Sequence, residues 1–433
     1  MRPISKIDEL ANELLDTAVA NNPTYATYLG MPGGEGDLDD LSPTAIERDY
    51  QLAKSTLAKL QALTPADDVD MVTKDALSSS LENEIAKHDS GLVFRELNNI
   101  ASPAQGVRSI FDLVPTKTEK DWENIASRMR KVSESLDGYA ESLRIGFESG
   151  NAPAARQLEE VLGQVKQINK ADGFFHNFAK GANIEGGLSD SLKTELAQAA
   201  TAATEGYAKF GEFLTEMMPK ANKKDAVGRD LYKILSKSFL GAGVDFDETY
   251  EWGKEELARV IAEQNAVANE ILPGANVAEA VAHLEKDPST KIHGTEALQA
   301  WMQKLSDKAI EDLGKTHFDI APELRNLECM IAPTKHGGIY YTGPSDDFKR
   351  PGRMWWSVPE GVDTFDTWRE TTTVYHEGVP GHHLQIGQST FMKDSLNKWR
   401  RLASFTSGHG EGWALYAERL MDELGYLSNP ADR

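Results

Sequence analysis

The stretch Tyr375–Gln385, YHEGVPGHHLQ, holds three of the chain's ten histidines and a glutamate. Two imidazoles one helical turn apart can present lone pairs to a single cation. A glutamate between them then lies beside the cation's water and can take its proton. Here the spacing from His376 is six residues to His382 and seven to His383. An uninterrupted helix rises about 9–10.5 Å over that span, and it points His382 about 120° away from His376. Pro380 has no N–H to bond back to the carbonyl of His376, and Gly381 tolerates unusual dihedrals. The interval Gly-Val-Pro-Gly therefore predicts a bulge or broken turn that draws the two imidazoles together. With two residues looped out, His382 takes the place of the second ligand. The pattern Gly-His-x-Leu favours it over His383, because Leu384 can anchor that helix to the core.

A hydrolytic metal site also needs a third protein ligand and an open position for water. The candidate is Glu411 in SGHGEGWALYAERL. Glu418 lies two turns further on nearly the same face, placed to hydrogen-bond a ligating histidine. His409, between glycines, reads as a surface residue or as one that supports a ligand without itself binding the ion. The expected cofactor is one divalent ion, zinc, held by His376, His382 and Glu411, with Glu377 as general base. His383 is the first choice to stabilise the oxyanion, ahead of Tyr340, Tyr341 and Tyr416. Arg350 or Arg353 could hold a substrate carboxylate, which would make the activity that of a carboxypeptidase or dipeptidase. The substrate would be a peptide or small amide, with Tyr341, Arg353 and Tyr416 as binding residues.

Two other function classes use the same residues. In a helical binding protein the metal would be structural or vestigial, and His376, His382, His383 and Glu411 could close all four positions. A non-haem iron oxidase would use two histidines and one carboxylate. The glutamate beside His376 favours hydrolysis, since oxygen chemistry has no need of that base.

The elements that must position these groups are mostly helices. Apolar residues recur at helical spacing over 4–20, 70–88, 118–148, 153–170, 189–217, 222–237, 247–271 and 295–314. Ser42 and Pro43 mark a helix start, as does the capping-box pair Thr118 and Asp121; Asp247 and Thr295 are further expected caps. The texture changes near 326: NLECMIAP, GGIYYTG and GRMWWSVP read as short strands of a small antiparallel element. Trp355 and Trp356 read as packing residues. Helical patterning returns at 365–387, 393–406 and 409–424. The expected fold is mainly α: a helical, clefted body over 1–325, and a catalytic portion over 326–433 in the same compact unit. No repeat or low-complexity tract interrupts it.

Composition narrows the partners. Acidic residues number 68 against 46 Lys and Arg, a formal net charge of −22. That surface repels nucleic acid and anionic lipid, so neither is an expected partner. The single cysteine, Cys329, cannot form an intrachain disulfide, and the N-terminus lacks the apolar core of a signal peptide. A cytoplasmic location is the expectation. Oligomeric state is not legible.

HEGVPGHHLQ and EGWALYAERL resemble motifs of the bacterial domain-of-unknown-function family 885 (DUF885). GGIYYTGPSDDFKRPGRMWWSVPEG is similar to that family's tyrosine-rich strand and the Arg-Pro-Gly strand after it. The segment from Pro103 to Val165 is similar to its helical half. By fold the family resembles the thermostable metallocarboxypeptidases, all-α clefted zinc peptidases. That resemblance implies His376 and His382 as paired ligands, Glu377 as base and Glu411 as third ligand. Family members continue well past the Glu-Gly-Trp helix, which implies that the C-terminal part of the family domain is missing from this chain.

Overall fold

The computed structural model describes residues 2–333 and 338–433. In chain order its helices are α1 (Lys6–Asn21), α2 (Pro23–Leu29), α3 (Pro43–Gln61), α4 (Asp68–Asp89), α5 (Pro103–Ser109), α6 (Glu119–Arg130), α7 (Val132–Glu148), α8 (Ala155–Ile168), α9 (Phe174–Lys180), α10 (Asp190–Met217), α11 (Arg229–Leu240), α12 (Phe246–Ile271), α13 (Val277–Leu284), α14 (Thr295–Thr316), α15 (Thr367–Glu377), α16 (His382–Phe391), α17 (Lys398–Leu402) and α18 (Ser407–Glu423). Five short strands join them: β1 (Lys291–His293), β2 (Leu327–Ile331), β3 (Ile339–Thr342), β4 (Gly352–Trp356) and β5 (Thr364–Asp366). The mainly α expectation holds. The chain forms two compact units, Met1–Leu235 with Asp394–Ser404, and Ser236–Lys393 with Phe405–Arg433. The division thus falls well before the expected boundary at 325. Helices α12–α14 belong with the strands because their packing partners do.

Several helix starts follow their local chemistry. The Ser42 side chain accepts from Ala45 N–H with Pro43 at the first helical position, and Thr118 and Asp121 form the expected reciprocal box. Two caps shift. Asp245, rather than Asp247, caps α12 by accepting from the N–H groups of Asp247 and Glu248, and Gly294 precedes Thr295 at α14. The run expected over 118–148 breaks at Lys131 into α6 and α7.

In the first unit α10 is the axis. Tyr207, Phe210 and Leu214 pack with Trp122, Met129, Leu136 and Tyr139 in one buried cluster. A second cluster joins α1, α3 and α4 to the returning α17 through Ile7, Leu15, Leu60, Leu77 and Trp399. In the second unit α14, α15 and the strands share a core of Met302, Leu313, Cys329, Met354, Trp356, Val374 and Tyr375. Trp355 is buried too, and its indole N–H donates to Thr342 Oγ1 at 2.9 Å.

The three-stranded sheet has the order β2-β4-β3. The expected antiparallel pairing is found for β3 and β4, but β2 runs parallel to β4, with Leu327 opposite Gly352. The chain passes to the far side of β4 to lay down β3 before entering β4 itself, so β2 and β4 point the same way. A second, antiparallel pair, β1 with β5, has only three residues per strand and carried no readable alternation. Amides of α14 cover the outer edge of β2. Gln303 donates to Leu327 O at 2.7 Å and accepts from Cys329 N at 3.0 Å, while Gln299 donates to Cys329 O at 2.7 Å. An edge satisfied in this way cannot pair with another chain.

Candidate metal centre

The helix expected over 365–387 is interrupted. α15 ends at Glu377, and α16 begins at His382. Between them Val379–Pro380 is a cis peptide. The Gly381 N–H donates to Tyr375 O at 3.1 Å, and the His383 N–H donates to Gly378 O at 3.1 Å, so the backbone re-enters helix at once. Gly381 is required by close approach: a Cβ there would lie 1.8 Å from the carbonyl oxygen of His376.

The interruption brings the two imidazoles together. The rings of His376 and His382 stand 4.8 Å apart at 89°. The third group comes from the second turn of α18: Glu411 Oε2 lies 3.3 Å from His376 Nε2 and 3.6 Å from His382 Nε2. One donor atom from each of these three residues lies within 4.8 Å of the others. His376 and His382 are largely buried, whereas the Glu411 side chain is 47% exposed, so the cluster is open on that side.

Neighbouring groups orient the set. Glu418 accepts from His376 Nδ1 at 2.7 Å, two turns along α18 from Glu411. With its proton held at Nδ1, His376 directs its Nε2 lone pair at the cluster. Burial alone would pull the His376 imidazole below its usual range; the Glu418 hydrogen bond and the charges of Glu377 and Glu411 outweigh it and hold the pKa above. Burial, with the adjacent His376, lowers His382. The Glu377 carboxyl is pushed up to about 7 by burial, opposed by His376 and reinforced by Glu411 and Glu418. Its Oε2 is buried and has no hydrogen-bond partner among the described residues, and neither has His382 Nδ1.

The other expected site residues have different employment. His383, the first choice to stabilise the oxyanion, faces away from the cluster. Its Nε2 pairs with Leu324 O at 2.7 Å and its Nδ1 with the Tyr341 hydroxyl at 2.9 Å. Burial drives it down to about 4, against the Leu324 hydrogen bond, so it is neutral at physiological pH. Both ring nitrogens are committed, because the helix that restarts at His382 turns the next residue into the core. Tyr341, expected at the substrate, spends its hydroxyl on this histidine. Arg353, expected to meet a substrate carboxylate, pairs with Glu328 on the adjacent strand at 2.7 Å, where strand register sets the two side by side. Tyr416 is 52% exposed on α18, its ring 5.8 Å from that of Trp413.

Sequence reasoning passed over two groups. Trp413 donates its indole N–H to Pro380 O at 2.8 Å, tying the interruption to the helix of Glu411. The signal was the tryptophan of Glu-Gly-Trp, read only as part of a helix start. Gly352 makes room for the buried pair: a Cβ there would lie 2.2 Å from the Tyr341 hydroxyl and 2.5 Å from His383 Nδ1. The Arg-Pro-Gly run suggested a turn, not this contact.

Solved structures share the fold. A candidate lipoprotein from Colwellia psychrerythraea superposes with a TM-score of 0.85 at 18% identity, over 99% of this chain and 80% of that one. A candidate lipoprotein of unknown function from Shewanella oneidensis gives 0.64 at 17% identity over the same shares. No curated protein matches. These matches add nothing to the resemblance to metallocarboxypeptidases. No helix among the described residues is long and apolar enough to cross a membrane. The model of the family described as "Bacterial protein of unknown function (DUF885)" matches residues 23–433, nearly the whole chain with both histidine- and glutamate-bearing motifs inside it, and the chain belongs to that family.

Proposed function

We propose that the protein is a zinc-dependent peptidase acting on a peptide or small amide. The observation that carries this reading is the convergence of His376, His382 and Glu411 donor atoms within 4.8 Å, beside a buried glutamate with an unpartnered oxygen. Two imidazoles and a carboxylate suit a divalent ion such as zinc, and the exposed side of Glu411 leaves room for water and substrate. Held there, the ion supplies Lewis acidity, polarising an amide carbonyl and acidifying a water molecule.

The chain's own residues do the rest. Glu418 keeps the His376 proton on Nδ1 and its Nε2 free. Trp413 fixes the turn that sets His382 opposite. Glu377 takes the proton of the attacking water on its unpartnered oxygen and delivers it to the leaving amine. Burial raises the Glu377 carboxyl and a nearby cation would lower it, so that the carboxylate prevails at neutral pH. Tyr416, on the same helix as Glu411, is the most exposed of the expected aromatic donors.

The test is metal analysis of the purified chain followed by digestion of a peptide library with and without chelator. Zinc near one equivalent, cleavage abolished by chelator and restored by zinc support the reading. Bound zinc with no cleavage of any peptide or amide favours the binding-protein alternative. Turnover with iron and oxygen alone favours the oxidase. The cytoplasmic location belongs to this proposal, and cell fractionation checks it against the lipoprotein description of the two neighbours.

A further inference from the structure

The helices that build the metal centre carry anions towards it and few cations. Glu411 and Glu418 on α18 both reach His376, and the Glu377 carboxylate acts on the same imidazole. Three carboxylates outnumber the charge of a divalent ion, so the filled centre keeps a negative field. Glu411 and Glu418 are partly exposed, and Leu415 lies between them, four residues after one and three before the other. Positions so spaced share a helix face. Leu415 is 59% exposed, so this acidic face meets solvent. Glu377 is 6% exposed, and its buried oxygen without a partner among the described residues marks a place for a bound group.

The cations near these elements have other partners. α16 has no lysine or arginine, and α15 and α18 have one arginine each. Arg369 lies over the Trp368 ring at 4.3 Å and pairs with Glu285 at 2.7 Å. Arg419 pairs with Glu263 at 3.2 Å. On β4, Arg353 pairs with Glu328, and Arg350 before it is partnered as well. A clamp for a substrate carboxylate needs a guanidinium with its fork open. Among the described residues, α15, α16, α18 and β4 offer none.

We infer that the centre selects its substrate by an ammonium group. It takes peptides with a free amino terminus or a lysine side chain beside the scissile bond, and turns away those that place a C-terminal carboxylate there. The inference rests on the zinc-peptidase reading and narrows it away from a carboxypeptidase.

The test is a series built on one short peptide cleaved in the library digest. The amino terminus is free or acetylated, a neighbouring residue is lysine or norleucine, and the carboxyl terminus is free or amidated. Loss of the recognised ammonium should lower kcat/KM at least about tenfold. Acetylation has that effect if the terminus is the source, norleucine if the side chain is. Amidation should leave kcat/KM unchanged or raise it. Calorimetric binding to zinc-loaded Glu377→Gln protein should follow the same order, and the differences should shrink between about 50 mM and 500 mM salt. Leu415→Arg sets a cation on the acidic face and should shift the preference about tenfold towards carboxylate-bearing peptides, with zinc content and Tm unchanged. If zinc content falls, Leu415→Glu replaces it and should sharpen the ammonium preference. Cleavage that requires the free carboxylate, equal cleavage across the series, or a preference that the Leu415 variant does not move overturns the inference and leaves the peptidase reading standing. A library without any cleaved peptide overturns both.

Discussion

Two clusters of acidic groups, one in each unit, are built differently. In the first unit Arg2 gathers three carboxylates: Asp8 at 2.6 Å, Asp67 at 2.5 Å, and Asp70. Ser5 Oγ donates to Asp70 at 2.7 Å, and Asn397 donates to Asp8 at 2.9 Å. The acceptors there are met by cations and donors, and the cluster fastens the ends of α1, α4 and α17. In the second unit Glu377, Glu411 and Glu418 surround two histidines, and no lysine or arginine joins them among the described ion pairs. One buried carboxylate oxygen and one imidazole nitrogen there have no partner among the described residues. Leaving a buried polar atom unpaired costs about 1–3 kcal/mol. A fold that satisfies one cluster and withholds partners from the other is keeping those atoms for something else.

Substitutions sharpen this contrast, the largest effect first. Glu377→Gln keeps the shape and removes the base. Peptide cleavage should fall about 10²–10⁴-fold while bound zinc is unchanged; undiminished turnover would take Glu377 out of the chemistry. Arg2→Met strips the first cluster of its cation and should cost about 3 kcal/mol in denaturant unfolding, without touching metal content. The same variant has a pH signature. Burial opposes ionisation of Asp8, but the Ser5 N–H, Asn397 and Arg2 together hold its pKa below the usual value. Its stabilisation is therefore present above about pH 4 and lost as pH falls through the folded-state value. Arg2→Met should flatten that acid slope; an unchanged slope would mean that other groups set it. Glu418→Gln should weaken zinc binding about 10–100-fold by loosening His376, read by competition with a chromogenic chelator. Tyr341→Phe removes a single hydrogen bond to His383. It should cost about 1 kcal/mol of stability and leave metal affinity alone, and a larger loss of metal would tie the buried pair to the site.

Much of the second cluster was legible because its chemistry sits in short motifs. His376, Glu377 and the helix breakers lie within six residues, so their meeting depends on local backbone alone. Glu411 and Glu418 needed only the periodicity of one helix. The fate of His383 was hidden, because its partners are the Leu324 carbonyl and Tyr341, on separate elements. Arg353 was misjudged for the same reason: Glu328 became its neighbour only through a parallel strand pairing that alternation does not announce. The long helices were readable from periodicity. The break near Gly378 was partly so, whereas the break at Lys131 and three-residue strands such as β1 were not.

The hydrogen bond from Trp413 to Pro380 joins the turn between the two histidines to the helix that carries the opposing carboxylate. An indole at that junction is a natural optical gauge. The chain has eight tryptophans, so the difference in emission between the parent and a Trp413→Phe variant during a zinc titration would report the assembly of the site with no label added.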